Sequence, residues 1–135
     1  LTNERVGSTM EALFAIGCTA ERCVTAGSQN GVNVGSLYAD GGQGWAGGSL
    51  DGVAALRGVT PAGEDVHVVG TDGVVLRLTD GVWVPQLHSL TGEPLHAAWV
   101  FPDGAMFVVG GRFETVPTTD GVVIYRGPTA MPALP

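Results

Sequence analysis

The sequence predicts an all-β chain made of about three four-stranded units. Three observations carry this expectation. Short runs rich in β-branched residues recur along the chain, each too short for a helix. Glycine is abundant, at 22 of 135 residues, and Asp-Gly pairs punctuate the runs. The runs also repeat: Gly27, Gly70 and Gly110 each close an apolar run and sit 43 and then 40 residues apart.

The central unit is the clearest. Leu56-Arg57-Gly58-Val59 opens it and meets Pro61-Ala62-Gly63-Glu64, which has turn chemistry: Pro presets φ and Gly permits positive φ. Asp65 to Gly70 reads as the next strand. Asp72-Gly73 then predicts a tight hairpin, because a type I′ turn needs positive φ at both central positions. Val74 to Leu78 is the third strand. Asp80-Gly81 is a second such turn, and Val82-Trp83-Val84 begins a fourth strand that Pro85 ends or pushes to a sheet edge.

The flanking units repeat this order. Leu13 and Leu95 open them as Leu56 opens the second; Cys23 to Gly27 and Met106 to Gly110 are their second strands; Val34 to Tyr38 and Val122 to Tyr125 are their third. A period near 40 made of short strands and Gly turns is that of a β-propeller blade. The boundaries follow as residues 13–55, 56–94 and 95–127, with 1–12 as an outer strand of a shared blade and 128–135 as a Pro-rich tail.

The pattern resembles bacterial β-propeller repeats of the kelch-like kind. The residues that carry it are Gly110-Gly111 with Tyr125 downstream, and Tyr38 followed by Trp45 in the first copy. The resemblance covers Leu13 to Gly127. Only the last copy has the Gly doublet, and it lacks the Trp that follows in the family. Kelch-like propellers host enzymes, adhesins and scaffolds, so the resemblance implies a fold and no single activity. Propellers close with about four to eight blades. Three units therefore imply either two copies forming one six-bladed ring or further blades in a longer propeller.

Composition narrows the partners. The net charge is −7 and all six basic residues are Arg. Neutralising nucleic-acid phosphates needs a basic patch, so nucleic acid is not an expected partner. No apolar run is long enough to span a bilayer as a helix. Cys18 and Cys23 flank one turn and fall on adjacent antiparallel strands, which predicts a disulfide and an oxidising, extracytoplasmic setting. A metal site is not expected, since this pair has no second Cys or His pair at ligand spacing. No cofactor motif is present: the Gly-rich stretch 41–48 opens no helix and so makes no phosphate cradle.

The chemistry-bearing residues favour recognition over catalysis. No nucleophile elbow accompanies the serines and His67, His88 and His96. Alternation in Val66-His67-Val68 predicts a half-exposed His67. Glu64-Asp65 is the one adjacent acidic pair, and it lies at a turn where Asp is expected for turn reasons alone. Trp45, Trp83 and Trp99 remain as candidates for stacking on a sugar or protein ligand, with Trp83 placed to pack between blades. An insertion at 112–119 adds Arg112 and an aromatic, Phe113, on an end loop. The expected function is a noncatalytic recognition or scaffolding module that binds protein or glycan through end loops. The alternatives are a lectin with pockets between blades and, third, a hydrolase or lyase.

Overall fold

A computed structural model describes residues 4–8, 10–86, 91–112 and 121–128. These form three antiparallel sheets and no α-helix. The first sheet has the order β1 (Glu11–Cys18), β2 (Cys23–Gln29), β3 (Gly35–Asp40), β4 (Ala46–Ser49). The second runs β5 (Leu56–Ala62), β6 (Asp65–Gly70), β7 (Val75–Thr79), β8 (Val82–Pro85). The third has β9 (Leu95–Val100), β10 (Met106–Gly111) and β11 (Gly121–Arg126), with β10 in the middle. Residues 4–8 form no strand, and Glu11 and Ala12 belong to β1.

The turns form where residue chemistry demands. Asp72 and Gly73 both have positive φ, at 58° and 69°, within the 3-10 turn Thr71–Gly73 between β6 and β7. Asp80 and Gly81 repeat this at 49° and 78° between β7 and β8. Both pairs adopt the left-handed backbone that two-residue hairpins need.

Each sheet carries the same irregularity. The register of β1 on β2 shifts between Leu13 and Ala15, and that of β5 on β6 between Leu56 and Gly58. In the third sheet Val109 pairs with Ala97 but Gly110 pairs with Leu95. Phe14, Arg57 and His96 are thus equivalent bulged residues, each one position after the opening Leu. The Arg57 guanidinium lies 5.0 Å from the Phe14 ring centre, so the first two bulges pack on one another as a cation–π pair.

The sheets stack face to face. Val24, Ala26 and Leu37 of the first sheet pack against Leu56, Val66, Val68, Leu76 and Leu78 of the second. The opposite face of the second sheet, through Val69 and Val75, packs against Leu95, Met106 and Val108 of the third. Leu56 and Leu95 are wholly buried, and full burial of one such side chain is worth about 1.5–3 kcal/mol. Every sheet therefore has a forward face, towards the next sheet in the chain, and a rear face, towards the one before.

Cys18 and Cys23 are cross-strand partners at the ends of β1 and β2 and form a disulfide, with Cα atoms 4.0 Å apart. Closing so short a loop restricts the unfolded chain. Replacing both cysteines by Ala is expected to lower stability by about 2 kcal/mol, measured by urea unfolding. An unchanged midpoint would show that the closed loop contributes nothing.

Candidate functional site

A cleft of about 600 Å³ opens between the second and third sheets, at the end of the stack where two hairpin turns gather. One is the β5–β6 hairpin, where Pro61 and Ala62 end β5 and Gly63 begins the turn; the other is Phe101-Pro102-Asp103-Gly104, between β9 and β10. The Asp103 carboxylate shapes the second turn by accepting from the Ala105 N–H at 2.9 Å. Polar side chains reach the cleft from the strands behind: Asp65 and His67 on β6, Arg77 on β7, and Arg126 at the end of β11.

Their pairing sets the electrostatics. The Arg77 guanidinium donates through Nε at 3.0 Å and through Nη2 to one oxygen of Asp65. Burial alone pushes the Asp65 carboxyl up, but the bonds from Arg77 and Thr79 outweigh it and hold the carboxyl below its ordinary range. Arg126 donates to Gln86 Oε1 at 3.1 Å and to the Gly104 carbonyl at 3.4 Å.

His67 is the exception to this pairing. It is 3% exposed, and its Nδ1 is buried with no hydrogen-bond partner among the described residues. Burial lowers its pKa to about 4; the charges of Arg77 and Arg126 act in the same direction and Asp65 opposes them. The imidazole is therefore neutral at pH 7. The expected half-exposed state of His67 is corrected here. Alternation places His67 opposite Val66 and Val68, as expected, but that face is covered by the third sheet and not by water.

The cleft is thus lined by guanidinium donors, carboxylate acceptors and a neutral imidazole. That set suits hydrogen bonding to a small polar group. It lacks the outward, free carboxylate pair that glycoside chemistry uses: Asp65 is tied to Arg77, and Glu64 is exposed in the turn. A second, smaller cavity of about 370 Å³ lies at the first-to-second sheet junction, lined by Glu21, Arg22, Glu64, Asp65 and Asp80 among others. No cluster of three metal-ligating side chains occurs among the described residues.

The residues singled out from sequence do not converge. Trp45 is half-buried in the loop before β4, and Trp83 on β8 packs against the core shared by the first two sheets. Arg112 is exposed and pairs with Glu93 at 2.9 Å. Phe113 and the rest of the insertion lie outside the described residues, as does His88.

Trp99 is 64% exposed on the forward face of the third sheet. It is the cross-strand partner of Phe107, which also pairs with Tyr125. The Phe107 ring lies 4.8 Å from Tyr125 and 6.0 Å, edge-on, from Phe101. Val109 and Val123 extend this apolar surface, and both are exposed.

A signal for the cleft was present in the repeat. At the register of His67 the first and third units have Val24 and Phe107, and at that of Arg77 they have Ala39 and Tyr125. Only the second unit places an imidazole and a guanidinium there.

Comparison with known proteins matched this chain to no family model, no curated protein and no solved structure.

Proposed function

We propose that this chain is a noncatalytic recognition or scaffolding module of the β-propeller type, with kelch-like blades at 13–55, 56–94 and 95–127. It works outside the cytoplasm and binds protein or glycan through the loops at one end. The cleft between the second and third sheets carries this reading. It opens among the end loops and gathers Asp65, Arg77, Asp103 and Arg126 around one concave space. Recognition sites are concave and place a few polar groups among apolar walls. The Cys18–Cys23 disulfide supports the oxidising setting.

The lectin reading is favoured by one detail, that an aromatic residue, Phe101, lines the cleft together with Asp103 and Arg126. An aromatic face with acceptors and donors near it is the usual partner of a sugar ring.

A glycan array and a panel of extracellular protein ectodomains, probed with wild type and Arg126→Ala, test the proposal. Loss of one charge-assisted contact is expected to weaken binding about tenfold or more, roughly 1.5–3 kcal/mol. Ligands whose affinity survives Arg126→Ala and Phe101→Ala together would place recognition elsewhere on the molecule.

A further inference from the structure

The three sheets use equivalent positions to meet one another. On the forward faces, Val24, His67 and Phe107 are equivalent, as are Ala26, Val69 and Val109, and Gly17, Thr60 and Trp99. On the rear faces, Leu13, Leu56 and Leu95 correspond, as do Ile16, Val59 and Ala98. The two inter-sheet contacts within the chain obey one rule. A Cβ on Gly17 would stand 2.9 Å from Val59 Cγ1, and the Thr60 hydroxyl donates to the Ala98 carbonyl at 2.7 Å. The forward residue of one sheet meets the rear residue of the next.

Two faces are left over. The forward face of the third sheet exposes Trp99, Phe107, Val109, Val123 and Tyr125. The rear face of the first sheet exposes Leu13 and Ile16, at the registers where Leu56 and Leu95 are wholly buried. Ile16 is 62% exposed, whereas Val59 and Ala98 pack against the cores. The forward face of the third sheet is a contiguous apolar surface, which marks an interaction site; on the rear face of the first sheet Leu13 and Ile16 form an apolar strip beside a polar cluster in which Glu11 accepts from Ser36 and Tyr38.

We infer that the forward face of the third sheet binds the rear face of the first sheet of a second copy of this chain, with Trp99 seated on the second copy's Ile16. The two free faces are of opposite kind and continue the same stacking rule, so each supplies what the other lacks. Two copies make two such contacts at once, which closes the pair by a twofold axis. The inference is independent of what the end cleft binds.

Light scattering at several concentrations tests it first. The wild-type chain is expected at twice its 13.8 kDa mass, and Trp99→Glu or Ile16→Glu is expected to return it to the mass of one chain. Both residues are exposed, so the variants retain the circular-dichroism spectrum of the wild type. Oxidation then tests the register. Trp99→Cys chains mixed with Ile16→Cys chains are expected to form a disulfide-linked pair, and neither alone. A wild-type monomer at all concentrations overturns the inference. So does an oligomer that Ile16→Glu leaves intact, or one in which Trp99→Cys chains crosslink to each other, since both show like faces pairing.

Discussion

Gly70→Ala is expected to lower stability by about 3 kcal/mol and the melting temperature by about 10 °C. The added Cβ would lie 2.3 Å from the Ala55 carbonyl oxygen and 3.0 Å from Leu56 Cα. That carbonyl is held in place by the Thr71 N–H at 2.8 Å, so it is not free to withdraw. The same close approach recurs in each sheet. A Cβ on Gly27 would meet the Ala12 carbonyl oxygen at 1.9 Å, and one on Gly110 would meet that of Pro94 at 2.0 Å. In each case the carbonyl belongs to the residue just before the opening Leu. The glycines closing the second strands are therefore fixed by contact with backbone, which has no alternative rotamer. Gly48→Ala is the control: nothing lies within 4 Å of its Cβ position, and the change is expected to be neutral or to stabilise by roughly 0.5 kcal/mol. Thermal unfolding of the two variants checks the pair, and equal melting temperatures would refute the account.

Acidification from pH 6.5 to 4 is expected to destabilise the protein through His67. In the unfolded chain the imidazole takes up its proton near its ordinary pKa of 6.5; in the folded protein it stays neutral down to about 4. Its contribution is thus complete above pH 6.5 and is lost as pH falls through the folded value. Linkage sets the total at no more than about 3 kcal/mol. The groups around the imidazole are Arg77 and Arg126, which oppose its protonation, and Asp65, which favours it. Asp65 has a lowered pKa of its own and yields its share at still lower pH. His67→Phe installs the residue that the third sheet carries at that register, Phe107, and is expected to flatten the slope between pH 6.5 and 4. Urea unfolding across that range measures it. An unchanged slope in His67→Phe, or a His67 titration midpoint near 6.5 by NMR, would remove His67 as the cause.

Much of the fold was legible because it rests on local chemistry. The Asp-Gly turns at 72–73 and 80–81 need positive φ, and that need shows in residue type alone. The repeated Leu and Gly positions were visible because a shared backbone contact fixes them. The Cys18–Cys23 pairing followed from hairpin geometry.

The cleft was less legible because its residues come from strands of two different sheets. Arg77 and Arg126 lie 49 positions apart in the chain, and no spacing motif links them. The burial of His67 was missed for a related reason. Alternation assigns a side chain to a face but says nothing of what covers that face. The bulges were also hidden, since Phe14, Arg57 and His96 share no chemistry and are equivalent only in register. Trp99 was singled out for being aromatic, whereas its significance lies in its position: its counterparts Gly17 and Thr60 each touch the following sheet.

Among the described residues the second sheet is the one packed against another sheet on both faces, and this gives the chain the thermodynamics of a short filament. Its free energy is a sum of three sheet contributions and two nearest-neighbour couplings, as in repeat proteins. A lesion in an end sheet severs one coupling and leaves a two-sheet remnant. A lesion in the middle severs both and leaves two isolated sheets, each with an apolar face turned to water. Opening therefore begins by fraying at the ends and reaches the centre last. Joining the free ends, as a closed pair of chains would, leaves no end at which to begin, and converts a fraying stack into a single cooperative unit.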